Sequence, residues 1–394
     1  MKTTYLLLCL LGIGSISGAG QTKQPQKIGD FIESTSYNEH RRNATRSLQY
    51  TPNGDDFVCI NGKNRFTRAL YGSHTAFRLE TSDRPVFAAY TKENPKHICF
   101  KLQTSGGTVA LDSTEHCESR YTAGRRSYSL FDPAFGGGSL SITTWALPDK
   151  EGAIWQFNAR NFKEFHPVLL ASISEIRNSK LNRNGDMGAD PADSFEAPLQ
   201  PQQLQSFPAQ IDGTLYILLE NQELRTLTTA EGENLFKKAE AARSETASRI
   251  RIETPDPYFN TLGGTLAMAA DGIWDGEVWL HGAIGWRMPL SGWRAAYTGD
   301  VLGWHDRART HFNAYAASQV TEVPNTFPHP AQDSALHLAR SVKKWGTPQY
   351  SNGYICRNPH RNNQMHHYDM NLCYIDELLW HFKWTGDLDY ARQM

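Results

Sequence analysis

The sequence has 394 residues, a formal net charge of −1 at pH 7 and six cysteines. That balance lacks the basic excess expected of a nucleic-acid binder, and scattered cysteines with no CxxC exclude a disulfide framework or a zinc ribbon. Ten Trp and sixteen Tyr supply many rings with an apolar face and a polar tip, the kind that carbohydrate sites recruit against sugar C–H faces.

The chain opens with Lys2, an apolar run from Tyr5 to Ile13, and small residues from Ser15 to Gly20 with Ser17 and Ala19 at the −3 and −1 places. This pattern reads as a secretory signal peptide over 1–20. The apolar run is too short to span a bilayer, so the expectation is an exported protein, periplasmic or extracellular, with no membrane span. Five cysteines then remain (Cys59, Cys99, Cys117, Cys356 and Cys373). One bridge, Cys99 to Cys117, is compatible with an oxidising compartment.

Residues 21–228 read as a polar lead-in followed by an antiparallel β-sandwich. Short alternating or β-branched runs lie at Phe57–Ile60, Ala76–Leu79, Val86–Tyr90, His97–Leu102, Ser139–Leu147 and Thr214–Leu219. Turn signals such as Asn61-Gly62 and Gly136-Gly137-Gly138 separate them, with no helical period between. The stretch 183–190 has the composition of a calcium loop but lacks the acidic ladder, and a plain turn explains it. At Thr229 the period changes. Leu235, Ala239, Ala242, Thr246 and Ile250 are mostly three or four apart, giving a linker helix within 229–254.

From Tyr258 the chain reads as helical. One stripe is Phe259, Leu262, Leu266, Ala269 and Ile273. A second, through Val301, Trp304, Ala308, Phe312 and Tyr315, predicts one helix with Asp300 near its start. A third helix is expected over Asp333–Lys344 and a fourth over Tyr368–Trp384. Thr385-Gly386-Asp387 turns the chain into a fifth, so the last two form an αα-hairpin.

Two loops carry candidate chemistry. The stretch 274–306 holds Asp275, Glu277, Asp300 and Asp306 among Trp274, Trp279, Trp286, Trp293 and Trp304, with Arg294. Rings for stacking and paired carboxylates for acid–base work are what glycoside hydrolysis requires. The second is His366-His367-Tyr368-Asp369-Met370-Asn371, at a loop-to-helix junction. Asp369, Asp300 and Glu277 are the catalytic candidates. Trp279, Trp293, Arg294, Trp304, His366, His367, Tyr368 and Asn371 are the substrate-binding ones. Asp300 and Asp369 serve equally well as helix-capping residues. The His/Asp cluster has metal-type ligands without a metal-site spacing, and the pattern calls for no metal and no cofactor.

Several short motifs in order resemble the six-hairpin glycosidase superfamily. They are Thr254-Pro255-Asp256-Pro257-Tyr258, Gly292-Trp293-Arg294, Gly299-Asp300, Trp304, Tyr368-Asp369-Met370-Asn371 and Trp384-Thr385-Gly386-Asp387. In the sandwich, Arg65–Gly72 and Asp83-Arg84-Pro85 look similar to a secreted bacterial branch of it. The resemblance implies an N-terminal sandwich, a linker helix and an (α/α)6 toroid. It also implies hydrolysis of terminal glycosidic bonds, with inversion, on an oligosaccharide or polysaccharide substrate. Twelve helices need roughly 300 residues with their loops, so 255–394 is expected to hold only the first part of the toroid. A non-catalytic glycan-binding protein and a polysaccharide lyase on the same scaffold are the alternatives.

Overall fold

A computed structural model describes residues 50–62, 66–72, 77–91, 96–162, 166–175, 205–282, 288–291, 295–321, 332–333, 338–339, 353–361 and 368–394. For 66–68, 175, 205–207, 295, 332–333, 338–339 and 368–369 the backbone alone is described. The expected signal peptide and the 183–190 loop lie outside these residues, as do Trp293, Arg294, His366 and His367.

Among the described residues, fifteen strands build two antiparallel sheets. The first sheet runs β1 (Thr51–Asn53), β2 (Asp56–Ile60), β8 (His116–Thr122), β9 (Arg125–Phe131), β10 (Ser139–Ala146), β11 (Gly152–Arg160), β14 (Thr214–Glu220) and β15 (Glu223–Leu227). The second runs β13 (Gln205–Gln210), β12 (Val168–Glu175), β6 (Lys96–Thr104), β5 (Val86–Tyr90), β4 (Arg78–Ser82) and β3 (Phe66–Tyr71). A further strand, β7 (Gly107–Ala110), also pairs with β6. Strict alternation places one face of each sheet inward. Ile98, Phe100 and Leu102 on β6 meet Trp155 and Phe157 on β11 and Tyr128 and Leu130 on β9 in one buried core. Edge-to-face rings knit it, with Phe87–Trp155 at 5.4 Å and Phe100–Phe157 at 5.0 Å. Buried Arg126 on β9 donates to the Ser82 carbonyl on β4 at 2.8 Å and to the Tyr50 hydroxyl at 2.6 Å, a polar clasp across the two sheets. The architecture is therefore a β-sandwich, as the alternation predicts. Cys99 and Cys117 are both free thiols on different sheets, and burial pushes both up, to about 11 and about 12.

Helix α1 (Thr229–Ala247) starts where the sequence places it, because Thr228 and Glu231 close a capping box that satisfies two otherwise orphaned backbone donors. It lies on the outer face of the first sheet against Trp145, Tyr216 and Leu218. Gly232 is needed there, since a Cβ would sit 2.2 Å from the Tyr216 ring. Glu240 fixes the helix to the sandwich. It accepts from the Trp145 indole at 2.7 Å and from Arg243 at 2.6 and 2.8 Å.

The helical part follows as α2 (Pro257–Asn260), α3 (Leu262–Gly272), α4 (Ala295–Val301), α5 (His305–Ala316), α6 (Tyr368–Thr385) and α7 (Leu388–Gln393). Two expectations need correction. The single helix through 301–315 is two, broken at Gly303 with φ +75°. Asp300 consequently lies in the last turn of α4, not at a helix start. The apolar stripe continues across the break because Leu302 and Trp304 both stay buried, so periodicity could not show it. The helix expected from Asp333 is also absent among the described residues. Gln332 pairs with Ala339 and Asp333 with Leu338 as a short antiparallel ladder; a stretch this short and this mixed in polarity fits either state. The hairpin of α6 and α7 forms as expected, with Gly386 at φ +67° and Asp387 capping α7 through the Tyr390 N–H at 2.9 Å. Among the described residues no helix is long and apolar enough to cross a membrane.

Candidate functional site

The first site is built by the turn after α3. Trp274 and Trp279 form an antiparallel bridge, and Gly276 takes φ +102°, a conformation glycine adopts without strain. The Asp275 carboxylate accepts from the Glu277 and Val278 N–H groups at 3.0 and 2.8 Å. Asp275 thus shapes the turn, and Glu277 stands at its tip with its side chain 49% exposed. His360 meets the Glu277 carboxylate at 2.6 Å. The histidine is itself set by a left-handed backbone at φ +59° and an N–H bond to the Ala314 carbonyl. Arg357, from the same segment, donates to the Met288 sulfur at 3.0 Å.

Beneath this turn lies Tyr315 of α5. Its hydroxyl is buried and has no hydrogen-bond partner among the described residues. Burial pushes its pKa up, Asp275, Glu277 and Glu377 push it the same way, and Arg357 opposes them. Glu377, on α6, is 1% exposed. Accessible Glu277, buried Glu377 and Arg357 thus all act electrostatically on the Tyr315 phenol. Carboxylates in unlike surroundings are the arrangement that divides acid from base roles.

The second cluster is Asp300, His305 and His381. One oxygen of Asp300 meets Nδ1 of His305 at 2.9 Å and Nδ1 of His381 at 2.8 Å. The Asp300 and His381 side chains are 2% and 0% exposed, whereas that of His305 is 43% exposed.

Burial redirects several residues expected to bind sugar. Trp279 is fully buried against Trp274 and His311, so its ring faces contact protein. His311 accepts the Trp279 N–H at Nδ1 and is held neutral, its pKa lowered to about 3 by burial. Trp304 is covered by Arg307 and Arg249, whose guanidinium carbons lie 4.2 and 5.0 Å from the ring centroid. The Asn371 side chain brackets Ile355, accepting its N–H at 2.7 Å and donating to its carbonyl at 3.1 Å. These three positions build the fold around the site. Tyr368 and Asp369 open α6. A separate cleft of about 840 Å³ lies between Tyr71 and Arg78 of the sandwich and Leu266, Ile273, Tyr297 and Val301 of the helices. It is largely apolar and contains neither Glu277 nor Asp300.

Residues 95–249 match the family model described as a domain of unknown function, DUF4450. The match runs from the start of β6 to just beyond α1, so the family's unit joins most of the sandwich to the linker helix. It leaves the Glu277 and Asp300 clusters outside. No curated protein matches the chain.

Sequence reasoning missed Glu377, Tyr315, His360, Arg357 and His381. A signal existed on α6. Tyr374, Glu377, Leu378 and His381 recur at helical spacing, and Glu377 and His381 are polar residues on that face. The opposite face, with Leu372, Ile375 and Leu379, is equally apolar, and the pattern alone does not say which one turns inward.

Proposed function

We propose that the chain is glycoside hydrolase-like, with its sandwich, linker helix and helical hairpins arranged as in an (α/α)6 toroid of the six-hairpin glycosidase type. The substrate is an oligosaccharide or polysaccharide, cleaved at terminal glycosidic bonds. The observation that carries this reading is the pairing of environments around Tyr315, with exposed Glu277 steadied by His360 and Glu377 buried. In glycoside hydrolysis one carboxyl protonates the leaving oxygen while the other activates water or attacks the sugar. Glu277, open to solvent, suits the base. Glu377, out of solvent, suits the acid. Arg357, partly exposed, offers donors for sugar hydroxyls.

The toroid reading draws further support from what the helices leave open. Leu372, Ile375, Leu379, Trp380 and Trp384 of α6 are each 44–70% exposed, an apolar face of the kind that neighbouring helices cover in a toroid. The test is release of monosaccharide or short oligosaccharide from a panel of plant and host glycans. Glu277→Gln and Glu377→Gln are each expected to lower the rate by about 100-fold or more, with Asp369→Asn measured alongside. Binding without release would favour a glycan-binding protein, and unsaturated, ultraviolet-absorbing products would favour a lyase. Unchanged turnover in both glutamate variants would remove this pair from the chemistry.

A further inference from the structure

The Asp300–His305–His381 cluster poses a charge problem. Asp300 is buried in the last turn of α4, where the helix dipole disfavours an anion. Burying an unpaired carboxylate is costly. Among the described residues no Lys or Arg pairs with it; its ion-pair partners are the two histidines. A carboxylate so placed is served either by hydrogen bonds from the two imidazoles or by a cation held among the three groups.

The geometry points to the second: we infer that Asp300, His305 and His381 form a binding site for a transition-metal ion of the zinc type. The three donor atoms lie within 4.8 Å of one another. The two oxygen–nitrogen separations, 2.8 and 2.9 Å, would open by about half an ångström, and the two imidazole nitrogens, within 4.8 Å of each other, would settle towards the same spacing, because donors around tetrahedral zinc sit about 3.3 Å apart at bond lengths of about 2.0–2.1 Å. Two imidazoles and one carboxylate are a borderline ligand set suited to zinc or its neighbours. Calcium and magnesium demand mostly oxygen ligands, which this cluster does not offer. Three protein ligands leave a fourth position. Half-exposed His305 supplies the entry path, while buried His381 and Asp300 fix the other two donors. Packing sets the rings: His381 lies against Phe312 and Tyr390 at 5.5 and 5.6 Å between centroids. This site does not depend on the sugar reading, which uses other residues.

Titration calorimetry of the chelator-treated chain with zinc ions alone tests the inference. The expected result is one zinc per chain bound at this cluster, a rise in Tm with added zinc, and loss of about 100-fold or more in affinity in His305→Ala. His305 is near the surface, so this variant should fold; Asp300→Asn tests the buried ligand. His166→Ala removes an exposed histidine that lies 3.7 Å from Asp212 and should change nothing. Absence of zinc binding in the parent chain, or binding in His305→Ala and Asp300→Asn as tight as in the parent, would overturn the site and leave a hydrogen-bonded carboxylate–imidazole cluster in its place.

Discussion

The sandwich and the helical part solve burial differently. In the sandwich, inward side chains of both sheets share one buried cluster, and Trp155, Phe157, Phe87 and Phe100 have essentially no exposure. The helical part buries its own cluster around Trp279, Phe312 and Tyr315, yet α6 turns a second apolar face outward. Leu372 is 70% and Leu379 51% exposed. A sheet pair closes on itself once both inner faces meet, whereas a helix with two apolar stripes needs neighbours on two sides.

The sharpest way to break this comparison is at the sandwich centre. Trp155→Ala should cost about 3–5 kcal/mol, read as a large fall in the denaturation midpoint. A small change would mean that the two sheets are not one cooperative core.

Acid should weaken both regions. Burial lowers His97 on β6 to about 4 and His311 on α5 to about 3, below the ordinary value near 6.5. The unfolded chain binds these protons first, so stability falls as pH drops below about 6.5 and keeps falling until the folded-state values are reached. His97 alone contributes roughly 3 kcal/mol to that loss. Thermal melts between pH 7 and pH 4 should show it, and His97→Leu should flatten the curve. A flat parent curve would contradict the buried neutral state.

Glu240 sharpens the comparison at the junction. Burial opposes its charge, but bonds from Arg243 and Trp145 hold its carboxyl below the usual range. Glu240→Ala should cost about 1–2 kcal/mol, since the group is partly screened by solvent, and should raise hydrogen exchange in α1 before the sandwich core. Equal exchange in both would mean that α1 is held by packing alone.

The smallest effect is expected on the open face. Leu372→Lys, Ile375→Lys and Leu379→Lys together should alter stability by about 0.5 kcal/mol or less, while reducing self-association measured by sedimentation. A loss of several kcal/mol would show that the face is covered in solution.

Much of the fold was legible in the sequence because period-2 and period-3.6 patterns report elements directly. Val86–Tyr90 is a strand with those bounds, and the Thr385-Gly386-Asp387 turn joins α6 to α7. The site was less legible. Composition marked the Trp-rich loop but not burial, and Trp279 and Trp304 went into the core while Glu277 stayed at a turn tip. His360 lies 83 residues from Glu277 in sequence and Arg357 69 from Met288, a juxtaposition that no local pattern encodes. Asp300, expected near a helix start, lies instead in the last turn of α4.

That misplacement gives Gly303 a consequence of its own. Along an uninterrupted helix, positions 300 and 305 would project roughly 140° apart around the axis and could never touch. The left-handed residue between them folds the chain back, and Arg249 seals the severed end by donating to the Leu302 carbonyl at 3.0 Å. A Cβ at 303 would meet only the tip of Arg249, at 3.9 Å. Substitution there would therefore strain the backbone without a clash, and its damage would register as Asp300 and His305 drifting out of register while the surrounding core stays packed.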